Sequence, residues 1–167
     1  MTTMLMNINV IVCWCNDDYE GKDFSSAVKR RACAIEYVRN NNIQGYLAYA
    51  NNKIVGWCNA NAKSDCLKCA SWRRSMEYVP LEESEKVKSV FCFVVAPEMK
   101  RNGIATQLLE RVCQDAAQDG FDYVEAYPDK ELANDIDFKG PIEMYKRSGF
   151  ITTYEIDEKL IVRKQLK

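Results

Sequence analysis

The chain contains no histidine. A Ser-His or Cys-His pair therefore cannot be assembled within one subunit, and no cysteine nucleophile is expected. Long apolar runs are missing too: none approaches the roughly 20 residues that a membrane span needs. The N-terminus lacks the charged, apolar and cleavage regions of a signal peptide, which predicts a cytoplasmic protein. Nor is there an excess of either charge. Of 167 residues, 23 are Lys or Arg and 24 are Asp or Glu, so no global field is available to wrap nucleic acid or an anionic membrane. Any anion site must be local. The length suits one domain with a substantial core, and a single domain over residues 1–167 is expected.

Cysteine, by contrast, occurs eight times. Without a secretory signal, disulfides are not expected. Cys92 and Cys113 fall inside apolar strand and helix patterns and read as packing residues. "CLKC" (Cys66, Cys69) has the spacing of half a four-thiolate zinc site or of a redox pair, whereas "CWC" (Cys13, Cys15) has one residue too few between its thiols. No metal site is assigned.

The order of elements is mixed. "INVIVCWC" (residues 8–15) reads as a strand. From Ser25 or Ser26 as cap, Val28, Ala32, Ile35 and Val38 recur at helical spacing, with a basic face at Lys29, Arg30 and Arg39, and the run Asn40 to Asn42 as the stop. "GYLAYA" and "KIVGWCNA" flank Asn51 and Asn52, which predicts a two-residue hairpin. Residues 61–86 read as a long excursion, with a helical turn near Ser71 to Met76. "VKSVFCFVV" is continuously apolar and should be a central strand covered on both faces. After Gly103 a helix carries Ile104, Leu108, Val112 and Ala116 on one face, with Leu109, Cys113 and Ala117 beside them, and stops at Gly120. "FDYVEAY" then completes a strand, helix, strand crossover between parallel neighbours. A further helix opens at Gly140 and Pro141, with Pro at the first helical position, and closes at Gly149; "FITTYEI" and "KLIVRKQL" end the chain as a hairpin.

One junction asks for more than turn chemistry. In "VVAPEMKRNGIATQLLERV" (residues 94–112), Lys100, Arg101, Asn102 and Gly103 stand between a buried strand and a buried helix. A helix N-terminus exposes unpaired N–H groups and about half a positive charge, so it receives an anion when the approach is open. Gly103 removes a side chain, Ala105 shortens one, Thr106 adds a hydroxyl, and two cations stand beside them. The competing reading is a plain strand-to-helix turn with solvated cations.

This stretch resembles the coenzyme A loop of the GNAT superfamily of N-acetyltransferases: Gln or Arg, two residues, Gly, one residue, Gly or Ala. Lys100, Gly103 and Ala105 fall on that pattern. "MYKRSGF", with Tyr145, Gly149 and Phe150, is similar to the second family signature, and the two occur in the family's order. Over residues 26–166 the resemblance implies an α/β (α+β) fold: a mixed, mostly antiparallel sheet with a central splayed parallel strand pair, helices on both faces and a shortened N-terminal part. It implies acetyl-CoA as cofactor, its pantetheine arm pairing with backbone over Phe93, Val94 and Val95 and its pyrophosphate resting on amides of Lys100, Arg101, Asn102, Gly103, Ile104, Ala105 and Thr106. Three departures stand out. Lys100 replaces Gln or Arg; Phe138 and Pro141 occupy positions where the family places Asn and Ala; and one strand precedes the first helix in place of a strand and two helices, which leaves part of the acceptor wall to a second subunit of a homodimer.

The implied reaction is direct attack of an amine on the thioester. An alkylamine of pKa about 10.4 needs about 4–5 kcal/mol to reach its free base at pH 7, so a base is useful. Alternation puts Tyr123, Glu125 and Tyr127 on one strand face, and Glu125 is the expected base, its competing reading being a solvated carboxylate. Tyr145 matches the family's general acid; otherwise it is a core tyrosine. Trp57, Asn59, Tyr127 and Asp137 are candidates to bind the acceptor, Asp137 as part of an acidic run with Asp129, Glu131 and Asp135. An acetyltransferase acting on a small-molecule or peptide amine leads; a coenzyme-binding protein without turnover and a cysteine-based module are the alternatives.

Overall fold

The computed structural model describes residues 23, 25–41, 43–66, 84–131 and 138–167. The expected strand over 8–15, Cys13, Cys15, Cys69, the turn at 71–76, Asp135 and Asp137 lie outside them.

Helix α1 (Ala27–Arg39) starts where Ser26 Oγ accepts the Lys29 N–H and ends at Asn40, followed by left-handed Asn41. Its buried side is not the one the spacing suggested. Val28 and Val38 are exposed, and the contact is made by Tyr37 with Cys33 and Ala34. Strands β1 (Gly45–Ala50) and β2 (Lys53–Ala62) follow. Asn51 and Asn52 both adopt positive φ, as a hairpin turn matched to strand twist requires. A single turn, α2 (Lys63–Cys66), leaves β2.

Strand β3 (Val87–Val95) leads through a 3-10 turn (Pro97–Met99) to α3 (Ile104–Gln118), which presents Leu108, Leu109, Val112, Cys113 and Ala116 to the core. β4 (Tyr123–Ala126) is followed by α4 (Ile142–Arg147) and the hairpin β5 (Ile151–Ile156) and β6 (Lys159–Gln165). Pro141 caps α4 and does not enter it, its ψ of 142° being extended. Strand order is β1-β2-β3-β4-β6-β5; β3 and β4 are parallel and every other pair is antiparallel. Among the described residues no helix is long and apolar enough to cross a membrane.

The sheet has two unlike faces. On one, Cys58, Ala60, Val90, Val124, Ala126 and Val162 pack against α3, Met144, Tyr145 and Phe150. Each of the three valines stabilises the fold by about 1.5–3 kcal/mol when fully buried. Gly56 lets α3 come close: a Cβ there would lie 2.8 Å from Ile104 Cγ2. On the other face Asn61, Ser89, Glu125 and Arg163 stand in register across β2, β3, β4 and β6. Near Trp57 that face is covered by Tyr37 and Ile43.

Candidate active site

Two breaks in the sheet create the site. β3 and β4 pair only from Val87 with Tyr123 to Val90 with Ala126, and then part. In the same place β3 bulges against β2: Asn59 faces Cys92 and Ala60 faces Val90, so Phe91 is the extra residue. A bulge bends its strand and increases local twist, which helps turn residues 91–95 away from β4.

Beyond the gap lies the turn singled out in the sequence. Lys100 to Gly103 are exposed. Gly103 precedes α3 with φ +76°, and among the described residues no side chain caps the helix. The first N–H groups of the 15-residue helix therefore lack a capping side chain. A Cβ on Gly103 would meet only Gln107 Nε2, at 3.9 Å, so the space before the helix is open. Arg101 also takes a positive φ of 65°, a conformation that costs a non-glycine residue about 1–2 kcal/mol. Asn102 Nδ2 donates to the carbonyls of Met99 and Lys100, folding the turn on itself. Ile104, Ala105 and Thr106 form the half-buried first turn. An open, positively polarised helix end fits a pyrophosphate.

The strand end of the site is more crowded. The Phe93 N–H donates to Phe138 O at 2.6 Å, so this position of the expected backbone ladder is already taken by the chain that returns toward α4. The Ala96 N–H donates to Val55 O on the β2 side, so alternation turns the Val95 N–H, like that of Phe93, toward the gap and that of Val94 toward β2. Tyr145 is buried beside the gap, its ring 6.5 Å from that of Phe93 and edge-on to Phe150 at 5.4 Å. Its hydroxyl donates to Lys139 O. One short segment, 138–139, thus holds both the Phe93 N–H and the Tyr145 hydroxyl.

Glu125 is where alternation put it, on the face of Tyr123 and Tyr127, but it is fully buried and is not an open carboxylate. Lys63 Nζ reaches both its oxygens, at 2.8 and 3.1 Å. Arg163 Nε donates to Oε2 at 2.6 Å, and Tyr127 OH donates to Oε1 at 2.6 Å. Ser89 Oγ lies 2.8 Å from the Tyr127 hydroxyl, and Arg163 Nη1 also donates to Glu85 Oε2 at 3.1 Å. Tyr127 stacks on Phe91 at 5.6 Å, which ties the network to the bulge. Lys63, Ser89 and Arg163 were not among the sequence candidates. A signal existed for one of them: Trp57, Asn59 and Asn61 alternate along β2, and Lys63, the first residue of α2, continues their period of two.

Trp57 and Asn59 sit on this same face, opposite Val94 and Cys92 in the parted half of β3. Asp129 is bound by Lys139 Nζ. Cys58, Cys66, Cys92 and Cys113 are buried thiols outside any disulfide, and Cys66 Sγ donates to Ala62 O at 3.2 Å. Burial pushes the Cys58 thiol well up and the Cys113 thiol up to about 11, so both pack as neutral groups. Among the described residues no group of three or more metal-binding side chains gathers.

Comparison with known proteins agrees with this geometry. The model of the acetyltransferase (GNAT) family matches residues 9–150. Among solved structures, a protein placed in the GNAT family from Desulfovibrio desulfuricans has a TM-score of 0.60 at 15% identity, covering 84% of this chain and 81% of its own. The ribosomal-protein-alanine N-acetyltransferase of Brucella melitensis has a TM-score of 0.56 at 14% identity over 97% and 96% of the two chains. A Salmonella typhimurium protein solved with its cofactor acetyl-CoA gives 0.56 at 12% identity over 88% and 80%. The sequence matches no curated protein. At these identities the structural likeness is one of fold, and the family assignment rests on the match over 9–150: the chain belongs to the GNAT family of acetyltransferases.

Proposed function

We propose that the protein is an acetyl-CoA-dependent N-acetyltransferase, a single domain over residues 1–167 acting on a primary amine of a small molecule or peptide by direct attack. The observation that carries this reading is the uncapped, open N-terminus of α3, reached directly from a strand that has parted from its parallel neighbour. Bound acetyl-CoA would supply an acetyl group as a thioester. The amides of Lys100 to Thr106 would hold its pyrophosphate, and the Val95 N–H would meet its arm.

In the transfer a C–N bond forms, the C–S bond breaks, the amine loses a proton and the departing thiolate gains one. Tyr145, beside Phe93, is suited to donate that proton once it turns from Lys139 O; a phenol near pKa 10 can donate without ionising at neutral pH. Glu125 has both oxygens engaged, so its role toward the amine passes through the Tyr127 hydroxyl, which it and Ser89 hold in place.

A second reading, binding without turnover, is favoured by the segment 138–139 sitting on both the Phe93 N–H and the Tyr145 hydroxyl. Thiol release from acetyl-CoA with a panel of amines separates the two. Turnover that falls about 100-fold or more in Tyr145→Phe, with acetyl-CoA still bound, supports transfer. Binding without thiol release for any amine supports the silent binder.

A further inference from the structure

Where β3 and β4 part, two residues lose each other as neighbours. Val87 pairs with Tyr123 and Val90 with Ala126, and the same step carried on would set Phe93 opposite Asp129. The chain beyond β4 keeps its other partner. Leu160 N–H donates to Pro128 O, Lys130 N–H donates to Glu158 O, and Asp129 bridges Lys159, all in the register that joins β4 to β6. Asp129 therefore stands on a wall continuous with the sheet, and it is β3 that bends away at its bulge.

Residues 138–140, which belong to no helix or strand, lie between these walls. Phe138 O accepts the Phe93 N–H at 2.6 Å, and one residue on, Lys139 Nζ reaches both oxygens of Asp129 at 2.6 Å. Lys139 O accepts the Tyr145 hydroxyl. Gly140 follows with φ +81°, and a Cβ there would lie 2.8 Å from Met144 Cε and 3.5 Å from Phe93 Cδ2, so the segment needs a glycine to lie this close. The segment thus joins the two residues that the gap separates. The ion pair is partly exposed, 30% at Lys139 and 25% at Asp129, where such a pair changes an equilibrium by a factor of a few. Phe93 N–H and Tyr145 O–H carry one proton each, so neither can serve a ligand while the segment is down.

We infer that residues 138–140 are a strap that closes the gap in the free protein, and that Lys139 and Asp129 are positioning residues that set how often it lifts. One lifting frees the Phe93 N–H to meet the coenzyme arm and releases the Tyr145 hydroxyl from Lys139 O, so the binding donor and the acid become available together. This rests on the coenzyme reading of the gap.

Amide hydrogen exchange tests the strap without a ligand. Lys139→Met and Asp129→Asn should each speed exchange of the Phe93 N–H about three- to fivefold, while the amides of Val90 and Leu109 in the core keep their rates. The double variant should go no further than either single one, because the two side chains act as one pair. Gly140→Ala, strained at its positive φ while the strap is down, should speed it about tenfold. Stopped-flow mixing with acetyl-CoA reads the consequence. Association should quicken in each variant by the factor seen in its exchange, since only the lifted fraction accepts the coenzyme, and dissociation should not change. Lys139→Met and Asp129→Asn shift the net charge in opposite directions, so a common gain is not steering of an anion. Unchanged Phe93 exchange in these variants overturns the proposal. Faster dissociation at unchanged association makes the segment a clasp over bound coenzyme and overturns it as well. Exchange altered as expected, with no acetyl-CoA bound by native or variant protein, keeps the strap and refutes the coenzyme reading.

Discussion

Along β3 and β4, Val90, Val124 and Ala126 point one way into α3, while Ser89 and Glu125 point the other way into a layer of charges and hydroxyls. Strand alternation makes both faces from the same few residues. The helix face is closed by apolar contact, and Tyr145 is its polar-tipped member, standing beside the gap. The polar face links four charged side chains in a row, Lys63 to Glu125, Glu125 to Arg163 and Arg163 to Glu85, and among the described residues Trp57 Nε1 and Asn59 Nδ2 on this face are buried donors without a hydrogen bond. What the contrast teaches is that the burial of one face allows the other to stay polar.

The largest way to break this comparison is to remove the centre of the polar layer. Glu125→Ala strands Lys63 and Arg163 in the interior and should destabilise the fold by about 3–5 kcal/mol, measured by urea unfolding. A loss below about 1 kcal/mol would mean that the charges are solvated and the layer is not a unit. On the opposite face, Leu109→Ala should lose about 3 kcal/mol of stability with kcat unchanged below the unfolding transition. A fall in kcat at full folding would show that packing under α3 also positions Tyr145.

A smaller effect is expected from pH. Burial raises the thiols of Cys58 and Cys113, the latter to about 11, and with Asp115 raises the Tyr46 hydroxyl to about 12. The unfolded chain gives up these protons nearer 9 and 10, while the folded chain retains them. Above pH 9 the unfolded state thus binds fewer protons, and stability falls as pH rises. Unfolding in urea at pH 8 and pH 11 should show the loss, and Tyr46→Phe with Cys113→Ala should reduce its slope. An unchanged slope would move the alkaline sensitivity to the polar face.

Much of the frame was legible in the sequence. Asn51 and Asn52 named their hairpin because few residues tolerate two successive positive φ angles, and α3 announced its buried face through a full stripe of apolar residues. Helix α1 did not, since spacing alone cannot tell that Tyr37 outweighs Val28 and Val38. The polar layer was half visible. Trp57, Asn59, Asn61 and Lys63 alternate in plain order, yet the partners of Glu125 lie 62 and 38 residues away in Lys63 and Arg163, and only strand register brings them together. For the same reason the occupation of Phe93 and Tyr145 by segment 138–139 could not be read from either motif.

The most direct test of the account is calorimetric titration of acetyl-CoA into the native protein and Gly103→Asn. Asparagine tolerates the left-handed backbone at this position but places an amide before the open helix end. The account predicts saturable binding of one acetyl-CoA per chain to the native protein, weakened about tenfold or more in the variant at an unchanged Tm. No binding by the native protein, or equal affinity in both, would contradict it.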